Sequence, residues 1–352
     1  MSVPSRHSVP PDLPRDVVEQ LLDDAGAANN RDVLADIIRT AYELAGDNAD
    51  RLNLKMTRDA LKEMRAAFRM FSPYEGVRKV TVFGSARTHP SDPLYDQAES
   101  LARRLAQVGW MVVTGAGPGI MEAAVRGAGP DRSFGVTIRL PYEEGVTGLL
   151  AGDNKVVNMK YFFTRKLMLM KESSGFVSLP GGFGTQDETF ELLTLYQTGK
   201  AVPSPLVLLD VEGGSYWEQW RRFLVENLAG GGLISPEDPD LFLVTDDVEE
   251  AVAEIRGFWR NYHSIRWVGA RLVIRLQAEP SDAELGELNE RFADVCLNGA
   301  IERTSPLPAE VSDADRLELP RLVVRFDRRK GARLRELIAA LNHLASSPPL
   351  DP

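Results

Sequence analysis

The sequence predicts an α/β chain: a Rossmann-like, doubly wound parallel sheet with an N-terminal helical extension and a small C-terminal α+β module. Three observations carry that reading. Short β-rich apolar runs alternate with helical stretches between Val77 and about Tyr262, which indicates strands buried on both faces. Glycine-rich turns follow several of these runs and open helices, at the sheet edge where such folds bind ligands. On either side the pattern changes, to helical stripes before this region and to strand-then-helix units after it.

Residues Met1 to Pro14 are rich in Pro and Ser and read as disordered. Helices follow at Asp16–Asp24, at about Asn30–Leu44 with Val33, Ile37, Ile38 and Ala41 on one stripe, and at about Asn48–Phe71 with Leu54, Leu61, Met64, Phe68 and Met70. Stripes at helical spacing read as packing surface. Strands are expected at Val80–Phe83, Met111–Thr114, Phe134–Ile138, Val156–Met159, Phe176–Leu179 and Leu206–Leu209. The intervening helices are expected at Asp96–Gln107, Ile120–Gly127, Tyr161–Lys171, Glu188–Gln197, Tyr216–Asn227 and Val248–Tyr262. Beyond His263, Arg271–Leu276 and Arg321–Phe326 look like related strands, each followed by a helix, Asp282–Cys296 and Gly331–Leu344. The Pro/Asp/Ser-rich Ser305–Asp315 separates the two halves, and the order reads as an α+β module of ferredoxin-like topology without chemistry of its own. The expected domains are 1–76, 77–262 and 263–352.

Composition narrows the function. A chain of 352 residues with 43% hydrophobic content buries a large core and divides into more than one domain. A net charge of -10 argues against general nucleic-acid binding, so a phosphate ligand must be held by local donors. Cys296 is the only cysteine, which excludes an intrachain disulfide and fits a cytoplasmic setting. His7, His89, His263 and His343 lack metal-ligand spacing. No apolar run is long enough for a membrane span, and no export signal pattern opens the chain.

The run Gly175–Leu179 leads into Pro180-Gly181-Gly182-Phe183-Gly184-Thr185-Gln186-Asp187-Glu188 and then a helical pattern. A glycine-rich turn there leaves backbone N–H groups unpaired at the helix N-terminus, an anion site suited to phosphate. Thr185 caps the helix or donates its hydroxyl, and Glu188 adds a carboxylate to the first turn. Alone, this reads equally well as an ordinary capped strand–helix turn. Two further loops alter the balance. Gly115-Ala116-Gly117-Pro118-Gly119-Ile120-Met121-Glu122 follows one strand, and Gly84-Ser85-Ala86-Arg87 follows another. The dinucleotide pattern G-x-G-x-x-G fails at Ile120, and the P-loop pattern G-x-x-x-x-G-K-[ST] is absent. NAD, FAD and the usual NTP-hydrolysis machinery are therefore unsupported.

Phe83 through Arg87, Thr114 through Ala124, Arg165-Lys166 and Pro180 through Glu188 resemble, in sequence and in order, the LOG ("Lonely guy") family in its long bacterial form. The resemblance spans roughly Val77 to Tyr262, and its PGGxGTxxE motif is specific when an Arg-Lys pair precedes it at this distance. The family includes cytokinin-activating nucleotide phosphoribohydrolases and bacterial nucleotide nucleosidases. The resemblance implies hydrolysis of the N-glycosidic bond of a nucleoside 5'-monophosphate, AMP or an N6-modified AMP, to free base and ribose 5-phosphate; since no His, Cys or carboxylate cluster has ligand spacing, activity is expected without a metal or cofactor. It implies Glu188 and Arg165 as catalytic residues, with Gly181, Gly182, Gly184, Thr185 and Ser85 on the phosphate. Gly115, Gly117, Gly119, Met121 and Lys166 are implied near the ribose and base.

The residue types suit that reaction, because cleavage builds positive charge on the ribose and a carboxylate stabilises it or orients water. Without the resemblance, Arg165-Lys166 reads as a solvated pair and Met121 as core. Ala116 stands where the family commonly has glycine, and Glu122 follows Met121 where shorter plant-type members have glycine. The first alters the closest backbone approach in that loop, and the second, as in longer bacterial members, favours nucleotide hydrolysis over cytokinin specificity. Lysine decarboxylation, an older description of the family, has no lysine here in a pyridoxal-phosphate context. The alternative is a non-catalytic carrier or sensor of a phosphorylated ligand, which has no need of Glu188 beside its phosphate. The largely apolar helix around Tyr161-Phe162-Phe163 and Leu167-Met168-Leu169-Met170, with the resemblance, points to a homodimer or an assembly of dimers.

Overall fold

The computed structural model describes residues 13–138 and 148–350. Of the segment read as disordered, residues 1–12 lie outside them. The chain divides into two compact units after Arg65. In the first, α1 (Arg15–Asp24) and α2 (Arg31–Gly46) bury Val18, Leu22 and Ala35 together, and α3 (Arg51–Phe71) begins. Val33, Ile37, Leu54 and Leu61 of the expected packing stripes are exposed.

The second unit contains a seven-stranded, all-parallel sheet in the order β4-β3-β2-β1-β5-β6-β7. Its strands are β1 (Lys79–Phe83), β2 (Met111–Thr114), β3 (Ser133–Ile138), β4 (Val156–Met159), β5 (Gly175–Ser178), β6 (Leu206–Leu209) and β7 (Leu243–Thr245). The helices are α4 (Pro93–Gln107), α5 (Ile120–Ala128), α6 (Phe162–Lys171), α7 (Phe183–Gln197), α8 (Tyr216–Phe223) and α9 (Val248–Gly257). Every residue of β1, β2, β5 and β6 is buried, as expected of strands covered on both faces. Val80, Val82, Val112, Val177 and Val207 pack against Leu101, Leu105, Ile120 and Ile255 from the helices. The helix starts use local chemistry: Asp92 accepts the Leu94 N–H at 2.9 Å with Pro93 in the first turn of α4.

Strand order reverses at β1 and β5, which pair in register from Val80↔Gly175 to Phe83↔Ser178. The loops after these strands open at the reversal point, the crevice where doubly wound sheets bind ligands.

Several elements differ from expectation, among them β7 (Leu243–Thr245), which is not one of the six expected strands. α7 starts at Phe183 rather than Glu188, because Gly184 weakens the helical signal in a first turn that tertiary contacts fix. α8 passes into a π-helical turn at Leu224–Ala229. α9 stops at Gly257, and Tyr262 opens a strand instead of closing the helix; the run Tyr262–Val268 is rich in aromatic and β-branched residues.

That strand, β8 (Tyr262–Val268), joins β9 (Arg271–Leu276), β10 (Glu302–Arg303) and β11 (Arg321–Val324) in an antiparallel sheet ordered β10-β11-β9-β8. The topology is not ferredoxin-like. β8 and β9 form a hairpin around Gly269 (φ +61°) and Ala270 rather than a strand–helix–strand unit. The module is completed by α10 (Asp282–Arg291), α11 (Pro308–Ser312) and α12 (Gly331–His343). Its core includes Leu272, Ile274, Leu322, Leu337 and Leu341. Beside it Glu310 is buried between Arg275 and Arg321, each 2.7 Å away. Among the described residues no helix is long and apolar enough to cross a membrane.

Candidate active site

The three glycine-rich loops meet around Ser85. Its carbonyl accepts the Ile120 N–H at 3.1 Å, at the start of α5. Its hydroxyl accepts the Arg87 N–H, also at 3.1 Å. The close approach requires glycine: a Cβ at Gly119 (φ +67°) would land on Ser85 O. A Cβ at Gly181 would land on Thr185 Oγ1 and lie 3.0 Å from Ser85 N.

Gly182 caps α7 in an extended conformation, and Gln186 N–H bonds to Gly182 O at 3.1 Å. The amides of Phe183, Gly184 and Thr185 then have no intrahelical acceptor and form the positive end of α7. This is an anion cradle. Thr189 Oγ1 donates to Thr185 O at 2.8 Å and meets Ser178 Oγ at 2.9 Å, tying the cradle to β5.

Glu188 lies in the second turn of α7, not the first, and is 6% exposed. Its Oε2 is buried without a hydrogen-bond partner. Burial raises the carboxyl pKa to about 7; Lys166 and Arg165 oppose the rise, while Glu191 and Asp187 add to it. An under-bonded carboxylate close to two cations is suited to act on developing positive charge.

Arg165 projects from α6, whose position is set by Thr81 Oγ1 on β1, 2.9 Å from Leu169 O and 2.6 Å from Ser173 Oγ. Arg165 Nε donates to Val136 O at 3.0 Å. Its Nη2 covers Gly115 so closely that a Cβ there would overlap it. Met121 closes the same corner, with its Sδ 2.9 Å from that Cβ position and its Cε 2.6 Å from the one at Gly117. Ala116, where the family commonly has glycine, adopts φ +56°, a left-handed conformation unfavourable for alanine. Gly135 makes room for its methyl, since a Cβ at Gly135 would be 2.9 Å from Ala116 Cβ.

The expected residues Ser85, Gly115, Gly117, Gly119, Met121, Arg165, Gly181, Gly182, Gly184, Thr185 and Glu188 thus lie on loops and helices at one sheet edge. Lys166 is engaged elsewhere: its Nζ ion-pairs with Asp187 at 2.8 Å and Glu191 at 2.6 Å, joining α6 to α7. Sequence reasoning missed Tyr216. Its hydroxyl donates to Gly181 O at 2.5 Å and accepts from Gln186 Nε2 at 2.6 Å. Asp210 Oδ2 holds it by accepting the Tyr216 N–H at 2.9 Å. The aromatic cluster of Tyr216, Trp217 and Trp220 was the available signal, but nothing in its spacing points to a loop so distant in sequence. Among the described residues, no group of three His, Cys, Asp or Glu side chains could hold a metal ion.

The chain is similar to known proteins over its central part. Residues 119–255 match the family model described as "Possible lysine decarboxylase". The chain is 26% identical over 185 residues to the cytokinin riboside 5'-monophosphate phosphoribohydrolase LOG5 of Arabidopsis thaliana, covering 51% of this chain and 78% of that protein. It is 31% identical over 161 residues to the enzyme named as the probable phosphoribohydrolase LOG6 of the same plant, covering 45% of this chain and 77% of that protein. Among solved structures, a molybdenum cofactor carrier protein of Chlamydomonas reinhardtii aligns over 50% of this chain and 94% of its own, at 22% identity and a TM-score of 0.34. With the relatives' identity and coverage added to the motifs on its three loops, the chain belongs to the LOG family.

Proposed function

We propose that this protein hydrolyses the N-glycosidic bond of a nucleoside 5'-monophosphate, AMP or an N6-modified AMP, releasing the base and ribose 5-phosphate. The observation that carries the reading is Glu188, a buried carboxylate with an unpartnered oxygen, one helical turn beyond the phosphate cradle of α7. The relatives' phosphoribohydrolase names support it.

In this reading the substrate phosphate accepts from the amides of Phe183, Gly184 and Thr185, with Ser85 and the Thr185 hydroxyl beside it. Anchoring there orients the ribose toward Glu188. As the bond from C1' to the base breaks, its electron pair leaves with the base and positive charge gathers on the ribose. The Glu188 carboxylate stabilises that charge and orients the water that bonds to C1', and the proton this water gives up ends on the departing base. Arg165 holds the carboxylate ionised and steadies the phosphate end.

A decarboxylase reading is not supported. Burial pulls the Lys166 ammonium down, but its bonds to Asp187 and Glu191 outweigh this and leave it above its ordinary value. A lysine so paired is no amine nucleophile. We also infer a homodimer, because Phe162, Phe163 and Leu167 of α6 are each about half exposed, flanking Arg165. The test of function is incubation with a panel of nucleoside monophosphates and chromatography for free base; binding without base release would overturn the reading in favour of a carrier.

A further inference from the structure

The phosphate cradle opens with two glycines, Gly181 and Gly182, which leave the peptide between them free to turn over. Its amide can serve an anion only if that peptide is held one way round. The hold comes from a different strand–helix unit. The Tyr216 hydroxyl, at the start of α8, donates to Gly181 O at 2.5 Å. Gln186 Nε2 donates to the same hydroxyl oxygen at 2.6 Å. A tyrosine hydroxyl has one proton to give, and with Gln186 donating to its oxygen that proton is directed to Gly181 O.

Tyr216 is itself fixed. Asp210, buried just after β6, accepts the Tyr216 N–H through Oδ2 and the Val211 N–H through Oδ1, each at 2.9 Å. Gly214 makes room for that carboxylate, since a Cβ there would overlap it. The Tyr216 ring stands edge-on to the fully buried Trp217, with centroids 4.8 Å apart. In a trans peptide the carbonyl and the following amide point in opposite directions. With Gly181 O tied to Tyr216, the Gly182 N–H is therefore turned away from that hydroxyl. Gly182 is exposed, and among the described residues its N–H has no acceptor. Ser85 and Thr185 press on Gly181 from the cradle itself.

We propose that Tyr216 is a positioning residue for the phosphate. It holds the Gly182 N–H turned into the cradle as a fourth donor, beside the amides of Phe183, Gly184 and Thr185. The inference rests on the phosphate-cradle reading above and extends it to a residue of a separate strand–helix unit. Tyr216 touches no reacting atom. Losing its hydroxyl frees the Gly181–Gly182 peptide to turn and costs the phosphate one donor, while the ribose and base are held as before.

The test is calorimetric titration of the full-chain Glu188→Gln protein, in which turnover is suppressed, with AMP and with adenosine. Adding Tyr216→Phe is expected to weaken AMP by about tenfold, the scale of one hydrogen bond to a charged group, and to leave adenosine within about twofold. The ring is exposed on one side, so phenylalanine fills the same place without opening the core. A tie that merely braced α7 against α8 would weaken both ligands alike. That result, or an unchanged affinity for AMP, would overturn the proposal. The cradle reading fails differently: Glu188→Gln binding AMP no better than adenosine would remove the phosphate anchor, and the role of Tyr216 with it.

Discussion

The guanidinium of Arg165 lies directly over Gly115, so close that the glycine has no space for a side chain while the arginine keeps its place. Arg165 is thus positioned by the absence of an atom on the β2 loop as much as by its bond to Val136 O. Gly115→Ala is expected to displace the guanidinium and lower the rate of base release by about 100-fold, the scale of an ångström-sized misplacement. Thermal unfolding should change little, because the loop lies at the sheet's open edge. Unchanged kinetics in this variant would remove Arg165 from the reaction.

Glu188→Gln keeps the shape of the side chain and loses its charge. The variant should still bind AMP and lose about 100-fold or more in turnover, as for removal of one electrostatic catalytic group. Adenine release at the wild-type rate would end the assignment of Glu188.

The same variant has a second signature. The Glu188 pKa rises from an ordinary 4.5 to about 7 in the folded protein. The folded state therefore keeps a proton that the unfolded chain releases, and stability falls as pH rises from about 4.5 to 7. By linkage, ionising this group costs roughly 3 kcal/mol above that window. Glu188→Gln should gain stability relative to wild type between pH 4 and pH 8, measured by urea unfolding at both. A difference independent of pH would mean the carboxylate is not held in the buried state described.

The cradle of Phe183, Gly184 and Thr185 amides makes the phosphate an anchor, and binding energy remote from the reacting bond can be used to position it. Adenosine is expected to be at least about 100-fold poorer than AMP in kcat/KM. Equal values would leave the cradle without a role in the reaction.

Sedimentation at micromolar concentration should show a dimer, and Phe163→Glu should dissociate it. Phe163 is 56% exposed on the α6 face that also carries Phe162 and Leu167. A fully active monomer would exclude a shared site.

Much of the architecture was legible because β-branched runs and glycines lie where this fold needs them. Met111–Thr114, Val156–Met159 and Leu206–Leu209 form strands with the expected ends. The loops' convergence followed from strand order, and Ser85 is where they touch. What stayed hidden depended on distance in sequence or on context. The Tyr216 bond to Gly181 joins residues on separate strand–helix units. Lys166 reads as a site cation until Asp187 and Glu191 of α7 are seen to hold it. The start of α7 was obscured because glycine is a poor helix former, although at this end it leaves room for a ligand. The strand Tyr262–Val268 was missed, its first residue being read as the end of the preceding helix, because it begins soon after a helical stretch.

The pairing of β1 with β5 also has a consequence for how the chain acquires its site. On one side β1 has β2, its next strand in sequence, while on the other it must wait for β5, after β2, β3 and β4 have been made. During synthesis the early strands can assemble first, leaving one edge of β1 open until β5 arrives. The contact between Ser85 and Gly181 is therefore of high contact order and closes late. A chain halted before β5 would hold Ser85 and the Gly115–Gly119 loop but no phosphate cradle, so ligand-binding competence and completion of the sheet arrive in the same step.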